Sequence, residues 1–206
     1  VFMCENGEIF GEENTLVACA DYVLSKTPGA TVSNLSSSRS LIEITKKYNQ
    51  VHFYSAVGEV NVVEKMKKHK AVIGGEGNGG VIYPESHYGR DSIVGIGLFL
   101  SLLVERRLPA SQLLKTYPKY FMLKEKVNVS PSLNIDTILK RIIEKYKNEK
   151  IDLVDGIRID FIDSWVQLRK SNTEPIIRVY SEATTIEKAK TLIKEVEIFI
   201  NEIINS

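Results

Sequence analysis

Apolar positions in the first third of the chain switch between two periods. Leu16, Val17, Ala20, Val23 and Leu24 recur at helical spacing, and the Pro28-Gly29 pair closes that run. Residues 30–35 then read as a strand. Ser36, Ser37 and Ser38 offer N-caps for a helix with Leu41, Ile42, Thr45 and Tyr48 on one face. Residues 51–56 read as the next strand, and Val57-Gly58-Glu59 turns into a helix carrying Val62, Val63 and Met66. A third strand at 71–73 leads into a glycine-rich loop at 74–80. Ahead of all this, Val1, Phe2, Met3 and Cys4 read as a strand in progress, stopped by a turn at Glu5-Asn6-Gly7-Glu8.

Strand and helix in regular alternation predict a layered α/β domain with a mostly parallel sheet. The loops at 35–38, 56–59 and 74–80 follow three successive strands, so they are expected on one edge, where such sheets gather ligands. Residues 93–104 are apolar on nearly every side and read as a buried helix. Leu108-Pro109 breaks that helix, residues 110–116 add a short one, and residues 118–129 read as a connection to a new unit. There, Ile135, Ile138, Leu139, Ile142, Ile143 and Tyr146 mark an amphipathic helix, and Ile157, Ile159 and Phe161 a strand after the Asp155-Gly156 turn. Val166 and Leu168, then Ile176, Ile177, Val179 and Tyr180, mark two more strands. Thr184 and Glu187 have the spacing of a capping box for a last helix, with Ile186, Ala189, Leu192, Ile193, Val196, Phe199 and Ile203 inward. This second half predicts a small α+β domain with an antiparallel sheet and two helices. The expected division is a tail of a preceding domain at 1–8, an α/β domain at 9–118 and an α+β domain at 126–206.

Composition removes several function classes. The 206 residues are 43% hydrophobic and 26% charged, ordinary for a globular protein. A net charge of +1 gives no basic field for nucleic acid, so anion binding must be local. Cys4 and Cys19 lack metal-ligand or disulfide-framework spacing, and Cys19 falls in a helical pattern as a small core residue. The apolar run at 93–104 is too short to span a membrane, and no signal sequence is apparent, so the chain reads as cytoplasmic.

Two stretches carry candidate chemistry. Arg169-Lys170-Ser171-Asn172-Thr173-Glu174-Pro175 joins the two strands of the second half. The Arg169 guanidinium is a planar fork matched to a phosphate, Ser171, Asn172 and Thr173 add short donors, and Arg178 returns on the next strand as a second cation. A polar hairpin turn with a solvated Arg is the bland alternative. In the other stretch, Gly75, Gly77 and Gly80 match a dinucleotide fingerprint formally, but Val81-Ile82-Tyr83-Pro84 cannot open the helix which that motif needs. The loop can instead present Glu76 and Asn78 to neighbouring hydroxyls, as a carboxylate and an amide. Its bland alternative is a flexible turn with a solvated Glu, and on either reading a Glu in a glycine loop is expected to have little to pack against.

The string from Arg169 to Pro175, followed by Ile176-Ile177-Arg178-Val179, resembles the phosphate-binding loop of the α-D-phosphohexomutases, the family of phosphoglucomutase, phosphomannomutase and phosphoglucosamine mutase. That family's pattern is Arg-x-Ser-(Gly or Asn)-Thr-Glu-Pro before an apolar strand. Gly74-Gly75-Glu76-Gly77-Asn78-Gly79 is similar to the family's sugar loop, usually Gly-Glu-x-Ser-Gly, with Asn78 where Ser is usual. Val57-Gly58-Glu59 resembles the preceding loop, and Asp91 falls where the family has an Asp opening the apolar helix. The resemblance covers essentially the whole chain and corresponds to the third and fourth domains of a four-domain enzyme.

Several expectations follow from the resemblance. Gly58, Glu59, Glu76 and Asn78 would contact the sugar, and Arg169, Ser171, Asn172, Thr173 and Arg178 the phosphate that is not being transferred. The substrate would be a phosphorylated hexose or hexosamine, interconverted between 1-phosphate and 6-phosphate through a phosphoserine and a bisphosphorylated sugar. The family's nucleophile string Thr-x-Ser-His-Asn-Pro and its magnesium string Asp-Gly-Asp-x-Asp-Arg do not occur here. Mg2+ is therefore expected in the full-length enzyme but not on this fragment, whose partner would be the missing N-terminal domains. The start at Val1 inside a strand pattern fits truncation. A phosphosugar-binding module without catalysis is the alternative.

Overall fold

The computed structural model describes residues 1–129, 134–171 and 174–204. They divide into two compact units, Val1–Lys119 and Tyr120–Ser206.

In the first unit, α1 (Glu12–Lys26), β1 (Thr31–Asn34), α2 (Ser40–Lys47), β2 (His52–Ser55), α3 (Glu59–His69) and β3 (Ile73–Glu76) alternate as the apolar periods predict. Strands β1, β2 and β3 run parallel, and β4 (Gly80–Ile82) adds antiparallel to β3, in the order β2-β1-β3-β4. The sheet is thus mostly parallel, as expected. Helix α1 is buried along most of its length. Leu16, Val17, Cys19, Ala20, Val23 and Leu24 pack with Ile73, Val81, Phe99 and Leu102 in the main core. Val32, Val62, Met66, Ala71 and Ile82 form a second cluster.

Three expectations for this unit need correction. The glycine stretch is a hairpin rather than a loop: β3 continues through Gly74, Gly75 and Glu76, and only residues 77–79 turn. A Cβ on Gly75 would lie 2.0 Å from the Gly80 carbonyl oxygen, so a bare backbone is what lets the two strands close here. Helix α4 (Ser92–Arg106) is not buried all round. Gly95, Leu98, Phe99 and Leu102 face the core, while Ile93 and Val104 are 79% and 78% exposed. A helix on the outside of a layered sheet can bury only one side against it. Finally, residues 1–4 form no strand; Met3 makes an isolated antiparallel bridge to Ile9. The short α5 (Ala110–Leu114) follows the Pro109 break.

The second unit holds β5 (Phe121–Asn128), α6 (Ile135–Lys145), β6 (Lys150–Asp152), β7 (Ile157–Asp160), β8 (Ser164–Lys170), β9 (Ile176–Ala183) and α7 (Ile186–Ile204). Its sheet is antiparallel throughout, in the order β5-β9-β8-β7-β6. The stretch at 118–129, expected as a connection, carries β5. It was masked by Lys124, Glu125 and Lys126, which an edge strand keeps in solvent as a guard against pairing with another chain. One face of the sheet packs Ile157, Ile159, Val166, Leu168, Ile177 and Val179 against Ile138, Ile142, Ile193, Val196 and Ile200 of the two helices. Helix α7 is capped by Thr185, whose hydroxyl accepts from the Lys188 N–H at 3.2 Å, one residue later than the box expected at Thr184.

The opposite face of this sheet is polar. Trp165 Nε1 donates to Glu182 Oε1 across the β8–β9 pair at 2.7 Å. The buried Arg158 donates to Asp160 and lies 4.2 Å over the Trp165 ring, so its charge is both paired and stacked.

Candidate functional sites

In the first unit the three loops beyond the parallel strands do meet at one edge. Ser37 Oγ donates to Asn34 Oδ1 at 2.8 Å and accepts from the Gly77 N–H at 3.0 Å. Glu13, from α1, accepts from the Ser38 N–H at 2.8 Å. The centre of this knot is Glu76, only 6% exposed. Its Oε1 accepts from Asn34 Nδ2 at 2.8 Å and from the Gly58 N–H at 3.1 Å, and its Oε2 lies 3.4 Å from Arg90 Nη1. The expectation of a Glu with little to pack against is therefore wrong. A carboxylate taken out of water has to be hydrogen-bonded, and β1, the Gly58 turn and Arg90 each supply a donor.

Arg90 joins two of the candidate residues. Its backbone N–H and its Nε donate to Glu59 Oε1 and Oε2 at 2.9 and 2.8 Å, and it reaches Glu76 from the other side. The contacts from Arg90 hold the Glu59 carboxyl below its ordinary value. Asp91 caps α4 by accepting from the Ile93 and Val94 N–H groups. Its carboxyl is also held low, first by the His87 hydrogen bond at 2.9 Å and then by those amides. Asn78 does not turn toward Glu76; its Oδ1 accepts from the Gly80 N–H at 3.1 Å and closes the hairpin. Glu59, Asn78, Arg90 and Asp91 line a cavity of about 470 Å³. Its walls can accept hydrogen bonds from hydroxyls through the Glu59 and Asp91 carboxylates and donate through the Arg90 guanidinium and the Asn78 amide.

In the second unit the candidate cations sit on β8 and β9. Arg169 and Arg178 are direct cross-strand partners, so both side chains rise from the polar face. Lys170 pairs with Ile177 and belongs to the other face, as strand alternation implies. Arg169 Nη1 lies 3.6 Å from Asp155 Oδ2, and Arg178 Nη2 lies 3.8 Å from Glu174 Oε2. The Asp155-Gly156 turn comes this close because Gly156, at φ +70°, presses on β8: a Cβ there would lie 2.2 Å from the Leu168 carbonyl oxygen. Ser171 is 7% exposed at the strand end, with its N–H bonded to the Ile176 carbonyl. Asn172 and Thr173 lie outside the described residues. Asp155 and Glu174 offset the repulsion between these two opposed cations, yet both stand beyond hydrogen-bond distance, so the guanidinium N–H groups can still donate to a further acceptor. The geometry thus suits a phosphate or carboxylate over the β8–β9 pair.

Reasoning from the sequence missed Asn34, Arg90 and Asp155 as organisers. Asn34 fell inside a strand pattern, and Asp155 was read only as a turn former. Arg90 is far in sequence from the partners that the fold gives it, Glu59 and Glu76. Among the described residues, no group of three or more His, Cys, Asp and Glu side chains is placed to hold a metal ion. No described helix is long and apolar enough to cross a membrane.

Comparison with known proteins gives consistent matches. The family model described as phosphoglucomutase/phosphomannomutase alpha/beta/alpha domain III matches residues 12–120, and that of the C-terminal domain matches residues 126–198. A phosphoglucosamine/phosphogalactosamine mutase of Sulfurisphaera tokodaii is 36% identical over 81% of this chain and 37% of its own length. A phosphoglucomutase/phosphomannomutase of Thermococcus kodakarensis is 34% identical over 92% of this chain and 42% of its own. The chain thus spans well under half the length of these relatives. Among solved structures, a phosphoglucomutase/phosphomannomutase family protein from Burkholderia thailandensis superposes with a TM-score of 0.80 at 21% identity, over 97% of this chain and 43% of that one.

Proposed function

This chain belongs to the phosphoglucomutase/phosphomannomutase family, and we propose that it is the substrate-holding part of a cytoplasmic phosphohexomutase. The whole protein would interconvert the 1-phosphate and 6-phosphate of a hexose or hexosamine, through a phosphoserine and a bisphosphorylated sugar. The direct opposition of Arg169 and Arg178 across β8 and β9, two residues before Ser171, carries this reading. It supplies charge-assisted donors for a phosphate that stays on the sugar while the other is transferred. The Glu59, Glu76 and Arg90 cluster supports the complementary role of gripping sugar hydroxyls.

Such a grip is part of the reaction. Phosphoryl transfer depends chiefly on positioning and on stabilising charge, so a sugar held in register is already partway activated. A magnesium ion and a nucleophilic serine would be supplied from outside these 206 residues. The relatives' names point to glucosamine, galactosamine, glucose and mannose phosphates as the substrate class.

The test is titration of the chain with glucosamine 6-phosphate, alongside Arg169→Ala and Lys170→Ala. Arg169→Ala removes a bidentate donor and should weaken binding by about 1.5–3 kcal/mol, roughly ten- to a hundredfold, with Lys170→Ala nearly unchanged. Equal losses from the two variants would mean a diffuse basic surface and would end this reading. The chain by itself should show no sustained mutase turnover with hexose phosphates, Mg2+ and a bisphosphate activator.

A further inference from the structure

The two arginines are not the end of the basic row. On the other side of β9, Lys126 of β5 is the direct cross-strand partner of Arg178. Arg169, Arg178 and Lys126 therefore stand at one level on three adjacent strands, and all three rise from the same face of the sheet. Directly opposed Cβ atoms are about 4.5–5.5 Å apart, so the three side chains can converge on one small anion. The sequence hides this row, because Lys126 is more than forty positions from Arg169 and lies on the edge strand that composition disguised.

Local charge makes Lys126 more than a spectator. Asp155 stands beside Arg169 and Glu174 beside Arg178, each at more than hydrogen-bond distance, and these two carboxylates offset the two guanidinium charges. Lys126 is exposed, and its side chain has no ion pair among the described residues. The net positive charge of the row is thus the Lys126 ammonium. A bound phosphate monoester brings about two negative charges, which the arginine–carboxylate pairs alone cannot neutralise.

We propose that Lys126 is the third cation of the phosphate grip, supplying the net charge while Arg169 and Arg178 supply the directed hydrogen bonds. The inference rests on the phosphate reading of the preceding section. It assigns to β5, the first strand of the second unit, a direct part in ligand binding.

The experiment titrates the 206-residue chain with inorganic phosphate and with glucosamine 6-phosphate, at low and at high salt. The variants are Lys126→Ala, Lys126→Arg, Lys124→Ala and Arg169→Ala. Lys124 is the next residue on the same face, level with Tyr180, with its Nζ 5.8 Å from that ring centroid. Lys126→Ala should weaken both ligands about three- to tenfold at low salt, with the difference shrinking near 1 M salt as the exposed charge is screened. Lys126→Arg should bind as the parent does, and so should Lys124→Ala. Melting temperatures serve as a control on folding, which an exposed edge position should leave unchanged. If Arg169→Ala loses affinity and Lys126→Ala does not, the third cation is refuted and the phosphate reading stands. If Lys124→Ala loses as much as Lys126→Ala, the row is a general basic field and the inference fails. If neither Arg169→Ala nor Lys126→Ala matters, the phosphate reading fails and takes the inference with it.

Discussion

Truncating Glu76 should cost folding stability as well as ligand binding. Its Oε1 is the acceptor for Asn34 Nδ2 and for the Gly58 N–H, and the side chain is almost fully buried. Glu76→Ala removes that acceptor and leaves a buried amide donor on Asn34. A stranded buried donor costs about 1–3 kcal/mol. Gly58 is partly exposed, so water can replace part of what its N–H loses. The Arg90 contact, at 3.4 Å from a half-exposed side chain, adds little. The expected loss is about 2–3 kcal/mol, several times the few tenths that a solvated loop carboxylate would cost. Glu76→Gln keeps an acceptor for Asn34 and Gly58 but turns an amide toward Arg90, and should cost about 1 kcal/mol. Urea unfolding followed by far-UV circular dichroism measures both. Trp165, the chain's single tryptophan, lies in the second unit, so its fluorescence gives a separate reading that should move less. A loss below about 0.5 kcal/mol for Glu76→Ala would refute the reasoning, because it would mean the observed donors contribute nothing net.

Other consequences can be checked on the same material. Gly75→Ala puts a Cβ within van der Waals overlap of the Gly80 carbonyl, so the β3–β4 hairpin must open; the expected cost is about 2–3 kcal/mol, and an unchanged melting temperature would contradict the strand pairing. Glu59 and Asp91 have carboxyls lowered from ordinary values of 4.5 and 3.8. Their contribution to stability is fully present above those values and is lost as pH falls through the lowered ones. Glu59→Gln should therefore make the acid loss of stability shallower below pH 4.5, and an unaltered acid profile would count against the Arg90 pairing.

What the sequence determined by itself was the order and type of most elements. Helical and strand periods, with Pro28-Gly29, Leu108-Pro109 and Asp155-Gly156 as punctuation, are local properties, and they predicted both the parallel alternation and the antiparallel half. The two candidate stretches could be picked out as motifs because their residues are contiguous. What only the tertiary structure decided were relations between residues far apart in the chain. Whether Gly74–Glu76 is loop or strand depends on Gly80 offering a partner edge. The burial of Glu76 depends on donors from Asn34, Gly58 and Arg90, which three separate segments bring to one point. Which side of α4 is covered depends on what packs against it, and its uniform apolarity carries no direction. The alignment of Arg169, Arg178 and Lys126 is a matter of strand register: a slip of one residue on any of the three strands would send a cation to the opposite face.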